Sequence, residues 1–546
     1  MDRVRIRFGS DSSAQRATVI FAETLQDLYD KYENGGSENP RYEKGFLHTS
    51  TVQHEGTCYY RDMWLRDCAR GMIELSRFGF ADEALEVAEY FLKHITFGNH
   101  WGREIHSQRR EHELDGNALA LLGIYNVWKA AGMDPAIAND FSAGIKPVLL
   151  WIHETSSSSP YHGLLPSISE LSGNPNTPYP VYPVWGNYCM VTALKSIELM
   201  VAASDNSEIV ELIREAYAGI EAGLEKLISD GSRFTLVPKD CWINGIDGRD
   251  GRAYEQSEWD GTSWPIWHWT RQLPFICGSD FDTLDVSGKF SETNIKSYEF
   301  IKSHMNNGYY FRKYGFVSNS GWSGMGGRHD DTMGGYGQGF YTQAALMSDD
   351  VNTYTKCLEG ISRLGYDGDV AEPLSFEMNP WIMHECFSYE NYEQGKDHTF
   401  GADSNGRREI MQNPGDEGNL AQEAEILKVF ALVAGITYIG DKLNIMPRLP
   451  WEWDRLEVLN WPVVDESGIK HAIGMDYRHD RWLRRCSLRL TGMAGIRKIE
   501  ARFGPFAHFI KDGHGYEIEK SSNASWIRRI IMNHDNDDVI EAEVNL

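Results

Sequence analysis

No stretch of the 546-residue sequence is apolar for the roughly 18 residues that a membrane-spanning helix needs, so no membrane partner is expected. Basic charge is in short supply. Lys and Arg total 53 against 79 Asp and Glu, a net charge of −26. A field of that sign repels phosphate backbones and excludes nucleic acid as an expected partner. The eight cysteines include no CxxC pair and are scattered from Cys58 to Cys486. In a chain of this size they read as buried free thiols, not as a disulfide framework or a zinc site, so no metal is expected. GxSxG and HExxH are absent, which removes the Ser-His-Asp and zincin readings. The Gly-rich SGWSGMGGRHDDTMGGYGQGF follows no strand and carries neither GxGxxG nor a Walker pattern, so no nucleotide cofactor is expected. The N-terminal MDRVRIRFGSDSS has no apolar signal core, which points to the cytoplasm. A secreted or periplasmic location would need a leader outside these residues.

Aromatic residues, by contrast, are abundant: 17 Trp, 26 Tyr and 23 Phe. From about residue 20 to 436, apolar positions recur at i, i+3, i+4 and i+7 in segment after segment. Examples are MWLRDCARGMIELSRFGF, ADEALEVAEYFLKHI, GNALALLGIYNVWKAAG and GNLAQEAEILKVFALVAG. About twelve such helices alternate between short links such as GFAD and long connections through 97–113, 156–186, 230–260, 306–335 and 366–417. Helix hairpins with that rhythm predict an (α/α)6 toroid over 21–436, with all the long loops on one face. Those loops are rich in Trp, Tyr, Asp, Glu and Gly, the composition of a functional face. After residue 436, runs such as IKHAIGMDYRHD and RWLRRCSLRLTG alternate apolar and polar residues. They predict a small β-sandwich over 437–546, with residues 1–20 contributing a strand segment.

The stretch FSYENYEQG sets Glu390 and Glu393 among Phe387, Tyr389 and Tyr392 in a segment too broken for a helix. It sits in the last long loop, ahead of GNLAQEAEIL. The order of this and other short motifs resembles the six-hairpin glycosidases, the superfamily of glucoamylases, trehalases, processing α-glucosidases and α-L-rhamnosidases. The resemblance covers about residues 45–450. It implies that Asp62, Trp64, Arg66 and Asp67 in YRDMWLRD grip a terminal sugar. Chemically that fits, because an ionised Asp accepts from adjacent hydroxyls and a guanidinium donates to sugar oxygens. The bland reading of the same residues is a helix start with acids favoured by the macrodipole. Asp115, in ELDG, is similar to the Asp-Gly stretch that opens the next inner helix in glucoamylases, and it reads equally well as an N-cap.

The loop SSSSPYHGLLPSISELSGNPNTPYPVYPVWGN stands where the superfamily keeps its general acid. It offers Glu170, with Trp185 as a stacking partner, but it lacks the Trp-Glu-Glu of glucoamylases. Trp259 and Asp260 in SEWDGTSW give a second candidate acid. The resemblance makes Glu390 the general base, beneath a sugar ring packed on Tyr389, with Asp416, Glu417 and Glu423 as alternatives. Together these features imply an exo-acting, inverting glycoside hydrolase that needs no cofactor. One carboxyl protonates the leaving oxygen and the other activates water. The tail GDKLNIMPRLPWEWDRLEVLN looks most like rhamnosidase-type enzymes, with α-glucosides as the competing substrates. Two other classes stay open: a polysaccharide lyase, which the charge of −26 disfavours for an anionic polymer, and a glycan-binding protein that has lost its acid. Composition leaves the oligomeric state undetermined.

Overall fold

The computed structural model describes residues 3–35, 44–50, 63–95, 98–105, 112–167, 180–232, 237–254, 273–277, 288–317, 332–364, 381–383, 386–388, 418–480, 482–506, 516–521 and 523–545. The protein is mainly α-helical. Strand β1 (Arg5–Phe8) precedes α1 (Ser12–Gly35), α2 (Leu65–Arg77), α3 (Ala81–Lys93), α4 (Leu114–Ala130) and α5 (Pro135–Ser157). Strand β2 (Val181–Pro183) leads into α6 (Val184–Ala202) and α7 (Val210–Leu224). Strands β3 (Gly245–Asp247) and β4 (Ala253–Tyr254) follow. Next come α8 (Ser291–Met305), α9 (Tyr309–Tyr314), β5 (Thr332–Gly334), α10 (Gly335–Met347), α11 (Val351–Ile361), β6 (Cys386–Ser388) and α12 (Leu420–Ala434). α1 starts nine residues before the expected boundary at 21, because the Asp11 carboxylate accepts the Ser13 amide at 2.9 Å and starts the helix there.

Two kinds of helix emerge. α2, α4, α6 and α12 are buried nearly all round, whereas α3, α5, α7 and α8 bury one face. The inner helices pack in order: α12 on α2, α2 on α4, α4 on α6, and α10 on α12. The 3-10 turn Pro274–Cys277 touches both α6 and α10. Contact is close: a Cβ on Gly123 of α4 would lie 2.3 Å from the Met72 methyl of α2 and would push that side chain aside. Cys189 on α6 and Cys277 in the 3-10 turn are joined as a disulfide, which corrects the expectation of free thiols throughout. Their 88-residue separation hides a proximity that only helix packing creates. Cys68, Cys241, Cys357 and Cys486 are free and buried.

A buried amide moors the connection in front of three inner helices. Asn117, fourth in α4, accepts the Trp101 amide at 3.0 Å and donates to the Trp101 carbonyl at 3.1 Å. Asn187, fourth in α6, does the same with Leu165 at 2.7 and 3.0 Å. Gln338, fourth in α10, takes the Val317 amide at 2.9 Å and donates to Gly315 at 3.0 Å. Each amide replaces the water that a buried loop backbone would otherwise lose.

The C-terminal strands are β7 (Ile436–Ile439), β8 (Lys442–Ile445), β9 (Arg455–Val464), β10 (Lys470–Asp480), β11 (Arg485–Thr491), β12 (Lys498–Phe506), β13 (Glu517–Lys520), β14 (Ser525–Met532) and β15 (Val539–Asn545). One sheet runs β1-β9-β10-β11-β15 and the other β13-β14-β12-β8-β7. The two sheets touch at Tyr477, whose hydroxyl accepts the Gly504 amide at 3.1 Å and whose ring lies 6.2 Å from Phe503.

Strands and helices are locked by aromatic rings and one ion pair. Phe430 of α12 lies 5.8 Å from Phe8 of β1 and 5.6 Å from Phe21 of α1, and Phe8 lies 4.8 Å from Trp453. Arg448 reaches Asp349 at 3.4 Å, and Trp526 donates to the same carboxylate at 3.1 Å. Because Phe430 is fully buried at this junction, Phe430→Ala should cost about 3–5 kcal/mol. Urea unfolding followed by circular dichroism measures it; a loss under 1 kcal/mol would place the junction elsewhere.

Candidate functional site

The N-terminal ends of α2, α4 and α6 lie side by side. A Cβ on Gly116 would meet Leu65 at 3.2 Å, and one on Gly186 would meet Leu114 at 3.1 Å. A short segment crosses this end. Trp64 bridges to Glu104, the Leu65 amide donates to the Arg103 carbonyl at 2.9 Å, and the Arg103 guanidinium lies 4.3 Å over the Trp64 ring. That stack holds Trp64 half-buried at the mouth.

Beneath it, Arg66 donates to Asp115 through Nε at 2.8 Å and through a terminal nitrogen at 3.3 Å. The same guanidinium lies 3.1 Å from Glu113, which also faces Arg103 at 3.3 Å. Arg66, Asp67, Glu113 and Asp115 are all at least nine-tenths buried. Neither Asp67 nor Asp115 is an N-cap. Those positions are Trp64 and Glu113, without side-chain cap bonds, and the two aspartates sit in the first turns, where the macrodipole favours them. Asp115 is committed to Arg66 through both oxygens, so it orients the guanidinium.

A second tier lies one helical turn deeper. Arg70 pairs with Glu425 of α12, and Gln343 of α10 donates to the same carboxylate. Trp185 closes this floor, with its ring 4.8 Å from Phe340 and 6.0 Å from the Arg70 guanidinium. At 3% exposed, Trp185 offers no face to solvent, unlike the stacking platform expected of it, because α10 delivers Phe340 onto the ring. A third tier holds the Glu74–Arg77 pair and Lys428, which donates to the Ile276 carbonyl. A cavity of about 30 Å³ lies between these tiers. Burial raises the Glu74 pKa and lowers that of Lys428 to about 8.

Of the residues singled out in the sequence, the structure brings Trp64, Arg66, Asp67 and Asp115 to one end of α2 and α4, with Trp185 on the floor below. Glu170, Asp260, Glu390, Asp62, Trp259 and Tyr389 lie outside the described residues. Glu423 is turned away from the inner helices: it is fully buried against Lys31 of α1, at 2.6 Å. Sequence reasoning passed over Arg70, Glu74, Arg77 and Glu425. A signal was present, since Arg66, Arg70, Glu74 and Arg77 recur at spacings of four, four and three, a charged stripe along one face of α2. Such a stripe ordinarily reads as the solvated face. Among the described residues no group of His, Cys, Asp and Glu is arranged to hold a metal ion, and no helix is long and apolar enough to cross a membrane.

Two outcomes follow from this geometry. Arg66→Met strips a buried guanidinium from Asp115 and Glu113 and should cost about 3–5 kcal/mol in urea unfolding. A change below 1 kcal/mol would show the cluster to be solvated. The second concerns Lys428, whose folded pKa of about 8 lies below its ordinary 10.5. Between these values the folded chain binds fewer protons there than the unfolded chain, so this group's contribution to stability rises with pH through that window. Urea midpoints at pH 7.5 and 9.5 should therefore diverge less for Lys428→Met than for the wild type.

No protein-family model and no curated protein sequence matches the chain. Solved structures do. An α-L-rhamnosidase from Dictyoglumus thermophilum superimposes over 100% of this chain and 50% of its own, with 7% identity and a TM-score of 0.55. A sialidase covers 88% of this chain and 39% of its own, with 11% identity and the same TM-score. A rhamnosidase of Bacillus sp. GL1 covers 87% of this chain and 40% of its own at 13% identity and a TM-score of 0.47. The chain thus spans about half or less of the length of these structures. Its fold is shared with that α-L-rhamnosidase over the whole chain.

Proposed function

We propose that the protein is an exo-acting, inverting glycoside hydrolase built as an (α/α)6 toroid with a C-terminal β-sandwich. The cyclic packing order of the inner helices supports the toroid, and the Tyr477–Phe503 contact between the sheets supports the sandwich. One observation carries the activity. The neighbouring N-terminal ends of α2 and α4 gather a half-buried tryptophan, a paired buried arginine and three carboxylates, on a fold shared with a rhamnosidase over the whole chain. An aromatic ring beside fixed donors and acceptors is what a sugar requires, with apolar contact for its C–H face and hydrogen bonds for its hydroxyls.

In this reading Arg66, held by Asp115 and Glu113, presents the donors that grip the terminal sugar, with Asp62 and Asp67 accepting from its hydroxyls. Trp64 and Trp259 line the pocket. Glu390 is the base that activates water, with Tyr389 packing on the ring. Glu170 is the acid, with Asp260 as its competitor. An inverting pair places its carboxyl groups about 6.5–9.5 Å apart to admit the water. The substrate is a terminal α-L-rhamnoside. The rhamnosidase likeness extends across the β domain, which favours it over an α-glucoside.

A panel of nitrophenyl glycosides tests this. Hydrolysis of the α-L-rhamnoside is expected, with the opposite anomer appearing first by NMR. Glu390→Gln should lower the rate about 10²–10⁴-fold. Removing the true acid should spare an activated aryl glycoside and abolish turnover of a natural glycan, which decides between Glu170→Gln and Asp260→Asn. An unsaturated product absorbing in the ultraviolet would make the protein a lyase. Binding without turnover would make it a glycan-binding protein.

A further inference from the structure

A separate cavity of about 440 Å³ opens at the opposite ends of the inner helices. It lies between the C-terminal ends of α2 and α4, the start of α3, and strands β7, β9 and β10. Pockets for small molecules run about 300–1,000 Å³ and concentrate where domains meet. On α2 the cleft begins at Ser76, ten residues beyond Arg66, so ~15 Å of helix separates it from the Arg66 cluster.

The side chains facing the cleft carry both signs of charge. Arg3, Arg77, Lys129 and Lys470 contribute cations, of which Arg77 is already paired with Glu74, and Asp82 and Glu83 contribute carboxylates from the first turn of α3. Asp82 and Lys470 are exposed, with their polar ends toward the cleft, while the exposed Arg3 donates to Gln26. The rings differ in availability. Tyr29 is used internally, with the Arg3 guanidinium 4.6 Å over it and Phe80 at 5.0 Å, and Trp461 is 2% exposed. Tyr438 stands half-buried in the wall. A strongly anionic ligand would face Asp82 and Glu83, and a cationic one would face Arg3 and Lys470. A neutral polyol has no such conflict: its hydroxyls donate to the carboxylates and accept from the cations, and its C–H face covers Tyr438.

We propose that this cleft is a second, non-catalytic binding site for a neutral saccharide of one or two rings. The choice of saccharide class rests on the proposed function, but the cleft shares no residue with the catalytic assignments. The test is a titration of the full chain with L-rhamnose, D-glucose and maltose, followed by saturation-transfer NMR. It compares the wild type with Tyr438→Ala, Asp82→Ala and Lys470→Ala, three surface changes whose folding is checked by thermal melts. At least one probe should show two classes of site in the wild type. The cleft variants should weaken one class about tenfold or more, the loss of a stacked ring or a charged hydrogen bond. Nitrophenyl glycoside hydrolysis should be unchanged in all three.

The proposal is overturned if no probe binds, if the three variants titrate like the wild type, or if glucuronate or glucosamine displaces the neutral sugars more strongly. Failure of the function reading looks different. A chain that hydrolyses no glycoside, yet loses saccharide binding on Tyr438→Ala, keeps this site and loses the enzyme.

Discussion

Charge turned inward along α2 is the constraint to which the inner helices answer. Arg66, Arg70 and Glu74 are each more than nine-tenths buried, and a buried charge without a partner costs several kcal/mol. Each must therefore meet an opposite charge. α4 supplies Asp115, the residue before α4 supplies Glu113, α12 supplies Glu425, and α2 itself supplies Arg77 to Glu74. The pairing fixes the register of α12 and α4 against α2, because a shift of one residue would rotate a partner out of reach. Apolar packing alone tolerates such slips more readily.

The same pairs grade the inner helices from mouth to base. At the N-terminal end of α2, Arg66 is held by Asp115 and Glu113, with Trp64 and Arg103 stacked above. One turn down, Glu425 gathers Arg70 and Gln343 beneath Trp185 and Phe340. Deeper still, Lys428 is desolvated enough to lower its pKa to about 8. Buried amides at the fourth position of α4, α6 and α10 then tie the incoming connections to this frame. Binding groups placed on helix starts and moored loops are held more firmly than groups on free loops.

The cleft at the far end arises from a different cause. Strand β1, paired with β9, packs on α12 through Phe8 and Phe430, with Phe21 of α1 and Trp453 beside them. Strands β7, β9 and β10 do not close on the ends of α2 and α4. The gap between them is lined by whatever the helix ends and strand edges expose, and here that is polar groups of both signs.

By itself the sequence determined the classes of element and their order. Apolar periods of 3.6 and 2 predicted helices as far as residue 436 and strands after it, and the last helix ends at Ala434 with the next strand starting at Ile436. Motif order pointed to a fold that the chain shares with an α-L-rhamnosidase, and the YRDMWLRD and ELDG motifs hold Arg66 and Asp115, which the structure pairs. The tertiary structure alone decided which charges face inward. The stripe on α2 carries the same spacing as a solvated face, and only the arrival of α4 and α12 with carboxylates turns it into a buried one. It also decided that Cys189 meets Cys277, that Glu423 belongs to Lys31 and not to the site, and that Trp185 lies under Phe340. Each of these depends on which residues from distant parts of the chain become neighbours. A periodicity reports the face a residue occupies, but not what packs against that face.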